Sequence, residues 1–319
     1  MSIPALVVIA VGSAVTAPVW LPLVVLADLV RGRFRFPMAR LGAFGVCWAW
    51  IELAGVTRTF VAWITGRAGD EALHYELMRW WADLLMSALA ATTGIRPRLE
   101  QPEALAGGNA IVLSRHASLA DSLLSAWAIR GRADLLPRYV LKKELLADPC
   151  LDIVGQRIPN YFLDRQAADS SAELDALRAL AAGVGPGVVG VIFAEGTRAN
   201  DAKRARALEK IAEHDPARAE RLAGLRRLLP PRPAGSRAMV EAAPEADVIL
   251  VWHTGFDGLD SFGSITRRLA RPLPPVRFVP RRVARADVPS GDEFDRWLDE
   301  QWLSLDREVD RALGEDETT

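Results

Sequence analysis

Asn109-Ala-Ile-Val-Leu-Ser-Arg-His-Ala-Ser-Leu-Ala-Asp121 runs from an apolar segment, Asn109–Ser114, into a polar stretch with an imidazole five positions ahead of a carboxylate. A second apolar run, Gly187–Phe193, leads straight into Ala194-Glu-Gly-Thr-Arg198. Both runs read as buried strands, so each polar segment falls at a strand's C-terminal end. That is the edge at which open α/β sheets bind their ligands. Two further runs, Arg138–Leu141 and Asp247–Trp252, are candidate strands of the same sheet. Helical spacing of apolar residues marks Asp121–Ile129, Ser171–Ala182 and Asp292–Leu313. The alternation predicts an α/β domain from residue 94 to 319, a mixed sheet flanked by helices, preceded by an N-terminal membrane anchor. Residues 199–229 read as a helical insert, with a charged helix over Asp201–Leu222 ending in a basic, proline-stiffened turn, Leu228–Arg232. That turn and the Pro/Arg-rich stretch Arg271–Arg285 are expected to be solvated surface, with anion binding as the alternative.

Upstream of residue 94 the composition changes. Residues 1–27 carry no charge, and Ile3–Ala27 is long enough to cross a bilayer as one helix. Without a basic segment before it, this stretch reads as a retained transmembrane anchor over residues 1–30 rather than a cleaved signal. Arg31, Arg33, Arg35 and Arg40 follow, and the positive-inside rule then puts the catalytic domain on the cytoplasmic side. Leu41–Ile64 is a second apolar stretch, interrupted by Glu52 and Arg58 and rich in tryptophan. Residues 31–93 therefore read as an interfacial or re-entrant helical region, with an amphipathic core helix as the other reading. The formal net charge of −1 argues against a nucleic-acid partner. Two cysteines, Cys47 and Cys150, without CxxC spacing, give no disulfide framework and no metal site.

The polar segments suit proton removal beside an anion. A neutral His116 can take a proton from an alcohol, and Asp121 can fix its tautomer and stabilise the imidazolium. Equally, Asp121 could be a helix cap beside an incidental histidine. Gly196, Thr197 and Arg198 supply accessible backbone amides, a hydroxyl and a forked guanidinium, the parts of a phosphate cradle. Glu195 would hold that loop through hydrogen bonds or take a ligand hydroxyl. The bland reading of the segment is a polar turn. The sequence holds no G-x-S-x-G elbow and no cysteine near a histidine. A His–Asp pair without its own nucleophile fits a substrate hydroxyl as the attacking group.

Here the chain resembles the glycerolipid acyltransferases typified by 1-acylglycerol-3-phosphate acyltransferase. The family's H-x4-D block is similar to His116–Asp121, its [FV]-x-E-G-T-[RS] block to Phe193–Arg198, and an intervening block to Tyr161-Phe-Leu-Asp-Arg165. The resemblance implies an acyltransferase of phospholipid biosynthesis, with His116 and Asp121 catalytic. It implies that Arg165, Glu195, Gly196, Thr197 and Arg198 bind substrate, without a metal or resident cofactor. Its partners would be membrane lipids and an acyl donor, acyl-CoA or acyl carrier protein. Departures are Arg115, where asparagine is usual, and Val248–Thr254 in place of a V-P-x-x-P strand. The insert and Leu229-Pro-Pro-Arg232 are similar to the lysocardiolipin and lysophosphatidylinositol acyltransferases, which makes Arg232 an anion ligand by that likeness. A lysophosphatidate acceptor, another lysolipid headgroup, or a silent membrane scaffold of the same fold all stay open at this point.

Overall fold

The computed structural model describes residues 1–118, 120–164, 170–259 and 262–318. Four helices come first: α1 (Ile3–Val15), α2 (Ala17–Val30), α3 (Pro37–Ile64) and α4 (Glu71–Thr93). Where one continuous helix was expected over Ile3–Ala27, α1 and α2 meet at 71° across Thr16. Pro18 explains the corner, because its ring blocks the preceding turn and its nitrogen has no hydrogen to donate. Trp20 fastens it, its Nε1 donating to the Ser13 carbonyl at 2.9 Å. Asp28, buried near the end of α2, accepts from the amides of Met38 and Ala39 and so caps α3.

Leu41–Ile64 lies inside one unbroken helix of 28 residues. Among the described residues α3 alone is long and apolar enough to cross a bilayer by itself; the bent α1–α2 pair would add a second if taken as one span. Glu52, which interrupts its apolar pattern, faces inward and accepts from Trp81 Nε1 at 2.6 Å. Trp50, Phe60, Trp63 and Ile64 face outward, and residues 1–64 hold every exposed large apolar side chain found among the described residues except Leu84 and Phe262. Arg40, read with the basic cluster, is instead engaged within the fold. Its guanidinium donates to the carbonyls of Thr92 at 3.1 Å, Thr93, and Leu269 at 3.2 Å.

The α/β part follows as β1 (Pro97–Leu99), β2 (Ala110–Ser114), α5 (Asp121–Ala126), β3 (Leu136–Lys142), α6 (Pro149–Gly155), β4 (Tyr161–Leu163), α7 (Ser170–Ala181) and β5 (Val188–Phe193). It continues with α8 (Asp201–His214), α9 (Pro216–Leu222), α10 (Pro233–Ala242), β6 (Asp247–Thr254), α11 (Phe262–Leu269), β7 (Val276–Val283) and α12 (Asp292–Thr318). The seven strands form one sheet in the order β1-β7-β6-β2-β5-β3-β4, parallel throughout except for the antiparallel pair β6–β7. Every residue of β2 is buried, as expected for a strand covered on both faces. One face packs with α4 and α5, and the other with α7, α10 and α12. Since α4 contributes Tyr75, Met78, Met86 and Leu89 to the first core, the α/β body takes in residues that sequence assigned to the interfacial region.

Three expectations for the second half are corrected. The helix expected over Asp201–Leu222 is two helices, because Pro216 starts a new one and the Asp215 side chain caps it by accepting from Arg218 N. The Pro/Arg-rich stretch holds β7, whose Val276 and Phe278 point into the core while Arg277 and Arg282 bond to Glu100 and Asp247. Its Pro280 lies beyond the end of β1, where β7 has a ladder partner on one side only. Lastly, the turn expected on the surface is docked: Leu228, Leu229, Pro230 and Pro231 are buried and only Arg232 is exposed. The Asp306 carboxylate of α12 receives the backbone N–H groups of Arg226, Arg227 and Leu228, an anchor some eighty residues away in the chain.

Candidate active site

Parallel pairing in register aligns the strand ends. Ser114 of β2 pairs with Phe193 of β5 on one side and Val251 of β6 on the other. His116 and Glu195, just past the ends of β2 and β5, and His253, near the end of β6, therefore share one edge of the sheet.

Asp121 opens α5 and is fully buried. Its Oδ2 accepts from His116 Nδ1 at 2.9 Å and from the amides of Ala117 at 2.6 Å and Ser118 at 2.8 Å. Its Oδ1 accepts from the Ser118 hydroxyl and lies 3.5 Å from His253 Nε2. Burial alone would push this carboxyl up. The neighbouring His253 and the bonds from His116 and Ser118 outweigh burial and hold it at about 2. Burial keeps His253 itself below its ordinary value against the pull of Asp121. An ionised carboxylate only accepts, so Nδ1 of His116 carries the proton and Nε2 is left as the basic nitrogen. The ring is 12% exposed and packs obliquely on Phe193, with centroids 4.9 Å apart.

Glu195 joins the two motif loops. Its Oε1 accepts from His116 N at 3.0 Å and its Oε2 from Leu229 N at 3.1 Å. Burial pushes its carboxyl up to about 8, with these backbone donors and Arg115 pulling the other way. With both oxygens engaged and the side chain buried, Glu195 holds the loop; of the two roles expected for it, contact with ligand is the one the structure does not build. A second tie runs from Ala199 N to the His116 carbonyl at 2.8 Å. The backbone of His116 is thus tied on both its N–H and its carbonyl to the 195–199 segment.

Gly196 adopts φ +67°, a left-handed conformation that favours glycine. A Cβ there would lie 3.0 Å from Cδ and Nε of Arg232, whose side chain lies over the turn. Lys203, one turn into α8, donates to Thr197 Oγ1 at 3.4 Å and to the Arg198 carbonyl at 3.1 Å. Arg165, expected to hold phosphate, lies outside the described residues. Sequence reasoning passed over Lys203, Ser118 and the part played by His253. The signal for His253 was present: it follows the apolar run Val248–Trp252, in line with the ends of β2 and β5. On the far side of α5 an apolar cavity lies among α4, β3 and α6, lined by Leu77, Met78, Leu123, Leu141 and Val154 and reaching Ser122, next to Asp121.

A buried carboxylate thus holds a histidine at the C-terminal edge of a largely parallel sheet, with a cationic glycine turn beside it. A family model described as Acyltransferase matches residues 96–252, a stretch that holds His116, Asp121 and the 195–198 turn. Those residues form an acyltransferase domain of that family. Among solved structures it is similar to the 1-acyl-sn-glycerophosphate (LPA) acyltransferase PlsC from Thermotoga maritima, at 18% identity and a TM-score of 0.44, over 82% of this chain and 95% of that one. No curated protein matches the sequence.

Proposed function

We propose that this protein moves a fatty acyl group from acyl-CoA to the free hydroxyl of a lysophospholipid, 1-acyl-sn-glycerol-3-phosphate, at a membrane surface. The observation that carries the reading is the His116–Asp121 pair with Nε2 free to act, tied through Glu195 and Ala199 to a turn bearing Thr197 and Arg198.

The acceptor hydroxyl gives its proton to His116 Nε2 as its oxygen attacks the thioester carbonyl carbon. The imidazolium that forms is stabilised by Asp121. Collapse of the tetrahedral intermediate breaks the carbon–sulfur bond, and the imidazolium returns the proton to the departing thiolate. Thr197 and Arg198 hold the acceptor's phosphate, with Arg165 assigned to the same task by family likeness. The apolar cavity behind α5 is a fitting place for an acyl chain, since its lining is apolar and includes Ser122 in the first turn of the helix that Asp121 opens. The apolar outer surface of α1–α3 supports contact with lipid, and Arg31, Arg33 and Arg35 favour the cytoplasmic side.

The test is transfer of labelled acyl groups to a panel of lysolipids. Wild type makes phosphatidate from the lysophosphatidate arm, whereas His116→Ala folds and makes none. Full activity in the alanine variant would end the proposal, and product only with another headgroup would change the acceptor while keeping the reaction.

A further inference from the structure

Next to the His116 loop, between the start of α8 and the Arg226–Arg227 turn, lies a polar cavity of about 140 Å³. That is about ten times the space one water requires. Four guanidinium groups line it, those of Arg115, Arg204, Arg226 and Arg227, together with the carboxylates of Asp201 and Asp257.

Arg115 is 2% exposed. Its terminal nitrogens donate to the His253 carbonyl and to Asp257, but its Nε has no partner among the described residues. A buried donor without an acceptor is costly unless something fills the gap. Oδ2 of Asp257 is a buried acceptor in the same position. Four guanidinium groups against two carboxylates match a ligand with an anionic oxygen, and Asp201 and Asp257 can accept from a hydroxyl on it. The first turn of α8, capped by Asn200, adds the partial positive charge of a helix end. Arg204 is tethered to Asp201 at 2.7 Å, and Arg226 and Arg227 to Asp310, so their planar forks are steadied at the rim.

We propose that this cavity binds a phosphate ester bearing a hydroxyl, as an anion site separate from the 196–198 turn. The two ligands expected under the acyltransferase reading both have this chemistry: the phosphorylated ribose end of the acyl donor and the glycerol phosphate of the acceptor. Only this pair of sources rests on that reading.

Calorimetric titration of the full-length protein in detergent tests the site, with CoA and a short-chain lysophosphatidate as probes. The variants are Arg204→Gln and the exposed pair Arg226→Gln/Arg227→Gln. Losing a charge-assisted bond is expected to weaken one probe about tenfold or more and to flatten its dependence on salt. Weakening confined to CoA assigns the cavity to the donor, and weakening confined to lysophosphatidate assigns it to the acceptor. If both variants bind both probes within about twofold of wild type, well inside the effect of one such bond, the proposal is overturned. Binding is read without turnover. A wild-type chain that binds through these arginines but transfers no acyl group would end the enzymatic reading and leave the cavity assignment standing.

Discussion

Replacing Asp121 by asparagine separates charge from geometry at this site. Three donors, His116 Nδ1 and the amides of Ala117 and Ser118, converge on Oδ2. Two of them are backbone groups that cannot turn away, so the asparagine carbonyl must take the Oδ2 position. Its NH2 group then faces the Ser118 hydroxyl, which can accept. The tautomer of His116 is therefore kept, and the variant loses only the negative charge. A unit pair about 4 Å apart at an effective dielectric near 20 is worth about 4 kcal/mol, an upper bound of roughly a thousandfold in rate. Because the imidazolium is only part-formed at the transition state, Asp121→Asn should lower kcat about a hundredfold. Asp121→Ala, which also frees the ring, should cost about another ten- to hundredfold. Single-turnover transfer of labelled acyl groups to lysophosphatidate measures both. The carboxyl sits near 2 in the fold and 3.8 when exposed, so it contributes about 2.5 kcal/mol to stability at neutral pH. A depressed value means that this contribution is complete above about pH 4 and is lost as pH falls towards 2; the asparagine variant should lose that slope in denaturant titrations. An asparagine variant as slow as the alanine variant would refute the pinned-tautomer argument, and one as fast as wild type would refute the role of charge.

Gly196→Ala combines the left-handed strain with the contact to Arg232 and should cost about 1–2 kcal/mol in urea unfolding, with a raised KM for the acceptor if Arg232 is displaced. Asp306→Ala strips three backbone donors of their acceptor and should destabilise by about 3 kcal/mol. It should also slow transfer, because the turn it anchors carries the Leu229 amide bound to Glu195. Changing Phe60 and Trp63 together to glutamine should lower sedimentation with anionic vesicles by about tenfold while leaving turnover of a soluble short-chain acceptor intact.

Reading the sequence located β2, β5 and most of β6 because strands buried on both faces must be apolar along their length. The histidine and acidic motifs were legible for the same reason, since each hangs from the end of such a run. β7 was hidden by its arginines, which look like surface until Glu100 and Asp247 are found opposite them. The Leu228–Pro231 turn was hidden by distance: its polar partner, Asp306, belongs to α12 and no local pattern announces the contact. The corner between α1 and α2 was readable in Pro18, but the length and apolarity of the whole stretch argued more loudly for one span. His253 carried no motif of its own and became visible only when β6 was laid beside β2.

The guanidinium of Arg40 has a mechanical meaning. By grasping the last carbonyls of α4 and reaching Leu269, it welds the outward-facing helix α3 to the catalytic body with no slack between them. A stalked enzyme can sample many heights above its substrate layer. This chain is mounted like a tool on a base plate, so whatever surface the tryptophan-rich side of α3 rests on also fixes the depth and tilt of the His116 edge.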